Sequence, residues 1–189
     1  MGSKITLSDK ILAATVLKLL PKRVTPNQVT MFRFFCVPFV VFLLYTENYY
    51  LGLILFAVAA FTDALDGAMA RTRDQITQWG ETYDPLADKL LVLSAALIII
   101  PKYLGVDILF SIIFVEMVLI GSAYYRRNMT HRRISANVWG KAKMVCQSIG
   151  VSLVLLYVIT DTSMFLLWAQ YILYAGILLA VASLVTYGI

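Results

Sequence analysis

Two stretches decide how this chain folds: YLGLILFAVAAFTDALDGAMA at residues 50–70 and DPLADKLLVLSAALIIIPKY at residues 84–103. Each is about as long as the ~20 apolar residues a helix needs to cross a bilayer core. Each also carries two aspartates at the end nearest the other, Asp63 and Asp66 in the first, Asp84 and Asp88 in the second. A short polar segment joins them, so they read as a helical hairpin with its acids near one face of the membrane. Carboxylates are costly there and usually mark function. At ~100° per residue, Asp63, Asp66, Gly67 and Ala70 fall within one arc of roughly 100°, while Gly80, Asp84 and Asp88 step along one face of the next helix. The two carboxylate pairs therefore face each other across the hairpin.

The rest of the chain extends the same pattern. Its 189 residues are 60% hydrophobic and 14% charged, with a mean hydropathy of +0.80. That balance suits a single membrane domain over 1–189 and excludes a soluble domain, a disordered chain or a collagen-like repeat. Apolar runs at 29–46, 50–70, 84–103, 107–125, 138–159 and 163–187 predict an all-α integral membrane protein, a bundle of six transmembrane helices over 29–187. Ahead of it, residues 4–21 predict an interfacial amphipathic helix with Ser8 as N-cap and Ile11, Leu12, Val16, Leu19 and Leu20 on its apolar face.

Orientation follows from the basic residues. Lys4, Lys10, Lys18, Lys22 and Arg23 precede the first span, Arg71 and Arg73 follow the second, Arg126, Arg127, Arg132 and Arg133 lie between the fourth and fifth, and Lys141 and Lys143 lie at the start of the fifth. Those segments, and with them the aspartates and both termini, are expected on the cytoplasmic side of a bacterial or archaeal cell membrane. The net charge of +5 is then an orientation signal facing the lipid bilayer, and no nucleic-acid partner is expected. Cys36 and Cys146 lie far apart in apolar runs and are expected to pack rather than form a disulfide or bind a metal.

Four converging carboxylates repel one another unless a cation is present. Oxygen-only donors favour a hard divalent ion, Mg²⁺ or Mn²⁺, and two ions are plausible for such a set. The alternative is a structural network in which the acids pair with Arg71, Arg73 and Lys89. Gly67 and Ala70 leave a strip of small residues beside the acids, which can let helices touch or admit a ligand to the backbone. Arg71 follows at once and can hold a phosphate bidentately.

Read in order, these residues form Asp63-x2-Asp66-Gly67-x2-Ala70-Arg71-x8-Gly80-x3-Asp84-x3-Asp88. This resembles the signature of the CDP-alcohol phosphotransferase (CDP-alcohol phosphatidyltransferase) family at all eight positions, and the six-span architecture fits as well. The resemblance implies transfer of a phosphatidyl group from CDP-diacylglycerol to an alcohol with release of CMP. It also implies Asp63, Asp66, Asp84 and Asp88 as metal ligands, Asp88 as the catalytic base, and Asp66, Gly67, Ala70, Arg71 and Gly80 around the CDP moiety. Within the family, Tyr83-Asp84-Pro85-Leu86-Ala87-Asp88-Lys89-Leu90-Leu91 is similar to phosphatidylglycerophosphate and cardiolipin synthases. Pro26-Asn27-Gln28-Val29-Thr30-Met31-Phe32-Arg33 resembles the Pro-Asn-x-x-Thr-x-x-Arg start of their first span. Family members are commonly homodimers, which the resemblance extends to this chain.

A small phosphorylated acceptor, glycerol 3-phosphate first among them, calls for cations on the fourth and fifth spans. Arg126, Arg127, Lys141 and Lys143 are the candidates, and Gly140-Lys141-x-Lys143 with Gln147 resembles a stretch of phosphatidylglycerophosphate synthases, with Met144 in place of their threonine. In the fourth span Val115 and Ala123 stand where those synthases carry arginines, and Arg126 or Arg127 could supply the missing charge. Glu116, with no basic residue within a turn, is expected to face the bundle interior and hydrogen-bond a backbone or hydroxyl group. Other acceptors in the family are inositol phosphate, phosphatidylglycerol, serine and amino alcohols. Outside it, a membrane prenyltransferase or a divalent-cation transporter could also use intramembrane aspartates.

Overall fold

A computed structural model describes residues 15, 17, 21, 24–73, 75, 77–130 and 138–187, with the side chains of 81, 126–130 and 187 left aside. The interfacial helix expected over 4–21 lies almost wholly outside the described residues. Those described form helices and short turns with no strand. In chain order the helices are α1 Pro26–Tyr45, α2 Tyr49–Thr72, α3 Gln78–Tyr103, α4 Val106–Thr130, α5 Val138–Thr160 and α6 Ser163–Tyr187. Each expected apolar run is thus a helix.

Five of them, α1, α2, α4, α5 and α6, are long and apolar enough to cross a membrane. The remaining helix, α3, is long enough but carries Asp84, Asp88 and Lys89 near one end and Lys102 at the other. On composition, therefore, five spans stand where six were expected, and the difference lies in the helix that bears half of the acids. Phe35, Phe39 and Phe42 of α1 are all more than 60% exposed, an apolar stripe of the kind that meets a membrane or a partner.

The chain divides into two compact units, residues 1–94 and 95–189. In the first, α1 begins with a capping box: the Gln28 backbone N–H donates to Thr25 Oγ1 at 3.4 Å and the Thr25 N–H donates to Gln28 Oε1 at 3.0 Å, with Pro26 at the first helical position. The turn Thr46–Asn48 reverses the chain through Glu47, whose φ is 60°. Helix α2 then packs on α1 around Val40, Leu44, Phe56 and Ala59, all buried. At the other end of α2, Leu65, Ala68 and Met69 cluster with Val29 and Leu17. Arg73 closes that end by donating to the carbonyls of Val24 at 3.1 Å and Leu17 at 3.4 Å.

In the second unit, α5 and α6 form a hairpin through Asp161, with φ of 52°, and α4 packs on α6. The close approach of α5 to α6 depends on Gly150. A Cβ added there would lie 2.6 Å from both Cγ and Cδ2 of the fully buried Leu173.

Candidate active site

Helix α1 gathers the acids. An arginine and a threonine three residues apart in an apolar helix lie on neighbouring positions of one face, and Thr30 and Arg33 are both fully buried. The Arg33 guanidinium donates from one terminal nitrogen to Asp63 Oδ1 at 3.0 Å and from the other to Asp66 Oδ2 at 2.6 Å. Its Nε donates to Thr62 Oγ1 at 3.3 Å, and the first terminal nitrogen also lies 3.5 Å from the backbone oxygen of Asp84. Thr62 in turn donates its hydroxyl to the carbonyl of Ala59 at 2.6 Å. Thr30 Oγ1 lies 2.6 Å from Asp84 Oδ1, 3.3 Å from Asp66 Oδ2 and 3.2 Å from the Pro26 carbonyl. A hydroxyl has one proton to give, and the shortest contact assigns it to Asp84.

The start of α3 is fixed by a second set of polar contacts. Gly80 N–H donates to Thr77 Oγ1 at 3.0 Å, and Thr77 Oγ1 donates to Asn27 Oδ1 at 2.9 Å. Gly80 is buried. A Cβ on it would lie 3.2–3.3 Å from Thr77 Oγ1, Asn27 Oδ1 and Asp84 Oδ2, so the position admits no side chain without moving Asp84. Trp79 stacks on Tyr83 with ring centroids 4.6 Å apart. A shallow cavity of about 280 Å³ opens between Asn27, Gln28, Met31 and Trp79.

Of the residues singled out by sequence, Asp63, Asp66 and Asp84 come together around Arg33 and Thr30. Asp66 is 2% exposed, whereas the Asp63 side chain is 48% exposed, and Asp84 is half-buried. Asp88 lies half-buried one turn further along α3. Gly67 sits beneath the Arg71 guanidinium, whose terminal nitrogens would be 3.2 Å from an added Cβ. Ala70 is half-buried one turn on.

The acceptor candidates divide. Lys141 is exposed and Lys143 is 2% exposed, because two residues along a helix point to different sides. The Arg126 and Arg127 side chains lie outside those described. Lys143 donates to Glu116 Oε1 in a buried ion pair. This corrects the expectation that Glu116 hydrogen-bonds a backbone or hydroxyl group: its partner is a lysine 27 residues away that reaches it through tertiary packing. A buried charge of this kind requires a partner.

Sequence reasoning did not name Arg33 as a partner of the aspartates. Its signal was present, since Arg33 is a charge inside an apolar span and such a charge needs a carboxylate. Asp63 and Asp66 form ion pairs with Arg33, a residue that the structural alternative, drawn with Arg71, Arg73 and Lys89, did not include. Among the described residues no three His, Cys, Asp or Glu side chains already stand around a common point as metal ligands do. The donor set nevertheless fits a hard divalent ion: carboxylate oxygens and a hydroxyl, no nitrogen or sulfur acceptor, and the Asp63 side chain exposed enough to turn.

A family model, CDP-alcohol phosphatidyltransferase, matches residues 23–185. The CDP-diacylglycerol--glycerol-3-phosphate 3-phosphatidyltransferase of Bacillus subtilis is 40% identical over 115 residues, 56% of this chain and 55% of that protein. The proteins of that name from Rickettsia typhi, 38% identical over 80 residues, and Escherichia coli K12, 38% identical over 81, each match 41% of this chain and 45% and 44% of their own lengths. The chain thus spans about half the length of the curated relatives it matches. A family match that runs through α1 to α6 and takes in all four aspartates leaves one conclusion: this chain belongs to the CDP-alcohol phosphatidyltransferase family.

Proposed function

We propose that the protein transfers a phosphatidyl group from CDP-diacylglycerol to glycerol 3-phosphate, releasing CMP and forming phosphatidylglycerophosphate. The observation that carries the reading is the convergence of Asp63, Asp66 and Asp84 on one face of α1, within the eight-position signature. The names of its relatives favour glycerol 3-phosphate over the family's other acceptors.

In this reading Asp63, Asp66, Asp84 and Asp88 hold divalent ions, Mg²⁺ or Mn²⁺, two in number. The chemistry a bound divalent ion supplies is neutralisation of the pyrophosphate and stabilisation of the departing CMP. The chain's own residues do the rest. Gly67, Ala70 and Gly80 leave the backbone open to the CDP moiety, and Arg71 donates to its phosphates. Asp88 accepts the proton of the incoming hydroxyl, whose oxygen bonds to the phosphorus of the phosphatidyl group as the bond to CMP breaks. Lys143, and with it Lys141, Arg126 and Arg127, answer the acceptor's phosphate. Helix α3 is a sixth span, the α2 end that carries Arg71 and Arg73 faces the cytoplasm, and two copies form a homodimer.

The test is CMP release and lipid product from purified protein, CDP-diacylglycerol, Mg²⁺ or Mn²⁺ and a panel of separate acceptors, against Asp88→Asn. Turnover with glycerol 3-phosphate, abolished by the substitution, is the expected result. Turnover only with another acceptor overturns the acceptor, and no turnover with any overturns the donor assignment.

A further inference from the structure

Arg33 lies fully buried among the acids, and the transfer reaction assigned above makes no use of it. Its guanidinium is a permanent charge that no protein environment removes. It bonds to Asp63 at 3.0 Å and Asp66 at 2.6 Å, and contacts the backbone oxygen of Asp84 at 3.5 Å. Thr62 Oγ1 orients the guanidinium from its Nε side at 3.3 Å. Thr30, on the same face of α1, binds the Asp84 carboxylate. One face of α1 therefore reaches three aspartates drawn from two other helices, and two of them balance a charge that is fixed in place.

We propose that Arg33 is the positioning residue and resident counter-charge of the aspartate cluster. It holds Asp63, Asp66 and the Asp84 backbone in register when no divalent ion is bound, and its share of the charge balance falls when one is. It does not touch the reacting atoms. The inference rests on the reading of the aspartates as a divalent-cation site, and the experiment separates the two.

Thermal unfolding of the full chain in detergent, in chelator and in saturating Mg²⁺ or Mn²⁺, is measured for the wild type, Arg33→Met, Arg33→Lys, Asp66→Asn and the double variant Arg33→Met/Asp66→Asn. In chelator, Arg33→Met is expected to lower the midpoint by about 10 °C and Arg33→Lys by less. Asp66→Asn added to Arg33→Met should recover part of the loss, since it removes the unbalanced charge. Added divalent ion should raise the midpoint of Arg33→Met more than that of the wild type. A double variant that melts no higher than Arg33→Met, or an Arg33→Met midpoint equal to wild type in chelator, overturns the proposal. If Arg33→Met does not fold, Arg33→Lys with and without Asp66→Asn makes the same comparison. A wild-type midpoint indifferent to both ions sinks the cation reading and the shift in charge balance with it, while the chelator series still decides whether Arg33 holds the acids.

Discussion

At the scale of single residues, the site depends on small clearances around strong charges. Gly80 is the clearest case, with three polar oxygens 3.2–3.3 Å from where a Cβ would stand, one of them on Asp84. Gly80→Ala is expected to displace the Asp84 carboxylate by a few tenths of an ångström and cut the transfer rate roughly 10-fold while the protein stays folded, because misplacement well below 1 Å already costs rate. A kcat measurement beside a melting curve checks it. The Glu116–Lys143 pair makes a different prediction. Glu116→Gln leaves a lysine buried without its counter-charge, at a cost of about 3–5 kcal/mol. The double variant Glu116→Gln/Lys143→Met should melt higher than Glu116→Gln alone. Equal midpoints would mean the pair contributes no charge balance. The aspartates were legible because carboxylates in an apolar run stand out. Arg33 and Lys143 were not assigned to their acids because the partners lie on other helices, 30 and 33 residues away for Arg33 and 27 for Lys143.

At the scale of elements, the helix boundaries follow from local chemistry. Pro26 and Asn27 mark the start of α1, and the structure adds the Thr25–Gln28 capping box that secures it. Short turns at Glu47 and Asp161 close the α1–α2 and α5–α6 hairpins. The α5–α6 contact rests on Gly150 against Leu173, and a methyl there would meet both Cγ and Cδ2 of that fully buried side chain rather than only its flexible end. Gly150→Ala should therefore lower stability by about 1–3 kcal/mol, read as a fall in melting midpoint with little change in KM for either substrate. An unchanged midpoint would show that α6 yields at this contact. Nothing in the sequence distinguishes Gly150 from a glycine such as Gly121, which has open space around it, since packing partners are a tertiary property.

At the scale of the whole molecule, composition points to a membrane, and α3 is the element on which the count of spans turns. Its acids and Lys89 gather at the end nearest α2, so a crossing α3 would leave them at one membrane face. Single cysteines introduced by Gln75→Cys, Glu47→Cys and Gly105→Cys into a chain lacking Cys36 and Cys146 test this with an impermeant thiol reagent. Labelling of positions 47 and 105 from the outside, and of 75 only after the membrane is opened, is the expected pattern for six spans. Position 105 labelled with 75 rather than with 47 would mean that α3 does not cross. What the sequence by itself determined is the all-helical membrane class, the helix boundaries to within about six residues and the places where four aspartates interrupt the apolar runs, because apolar run length, capping chemistry and misplaced charge are all local properties. What only the tertiary structure decided is which groups answer those charges. Arg33 and Thr30 meet the aspartates, Lys143 meets Glu116, and Gly80 lies under Asp84, because distance in space is set by how helices pack and leaves no trace in the spacing of one helix alone.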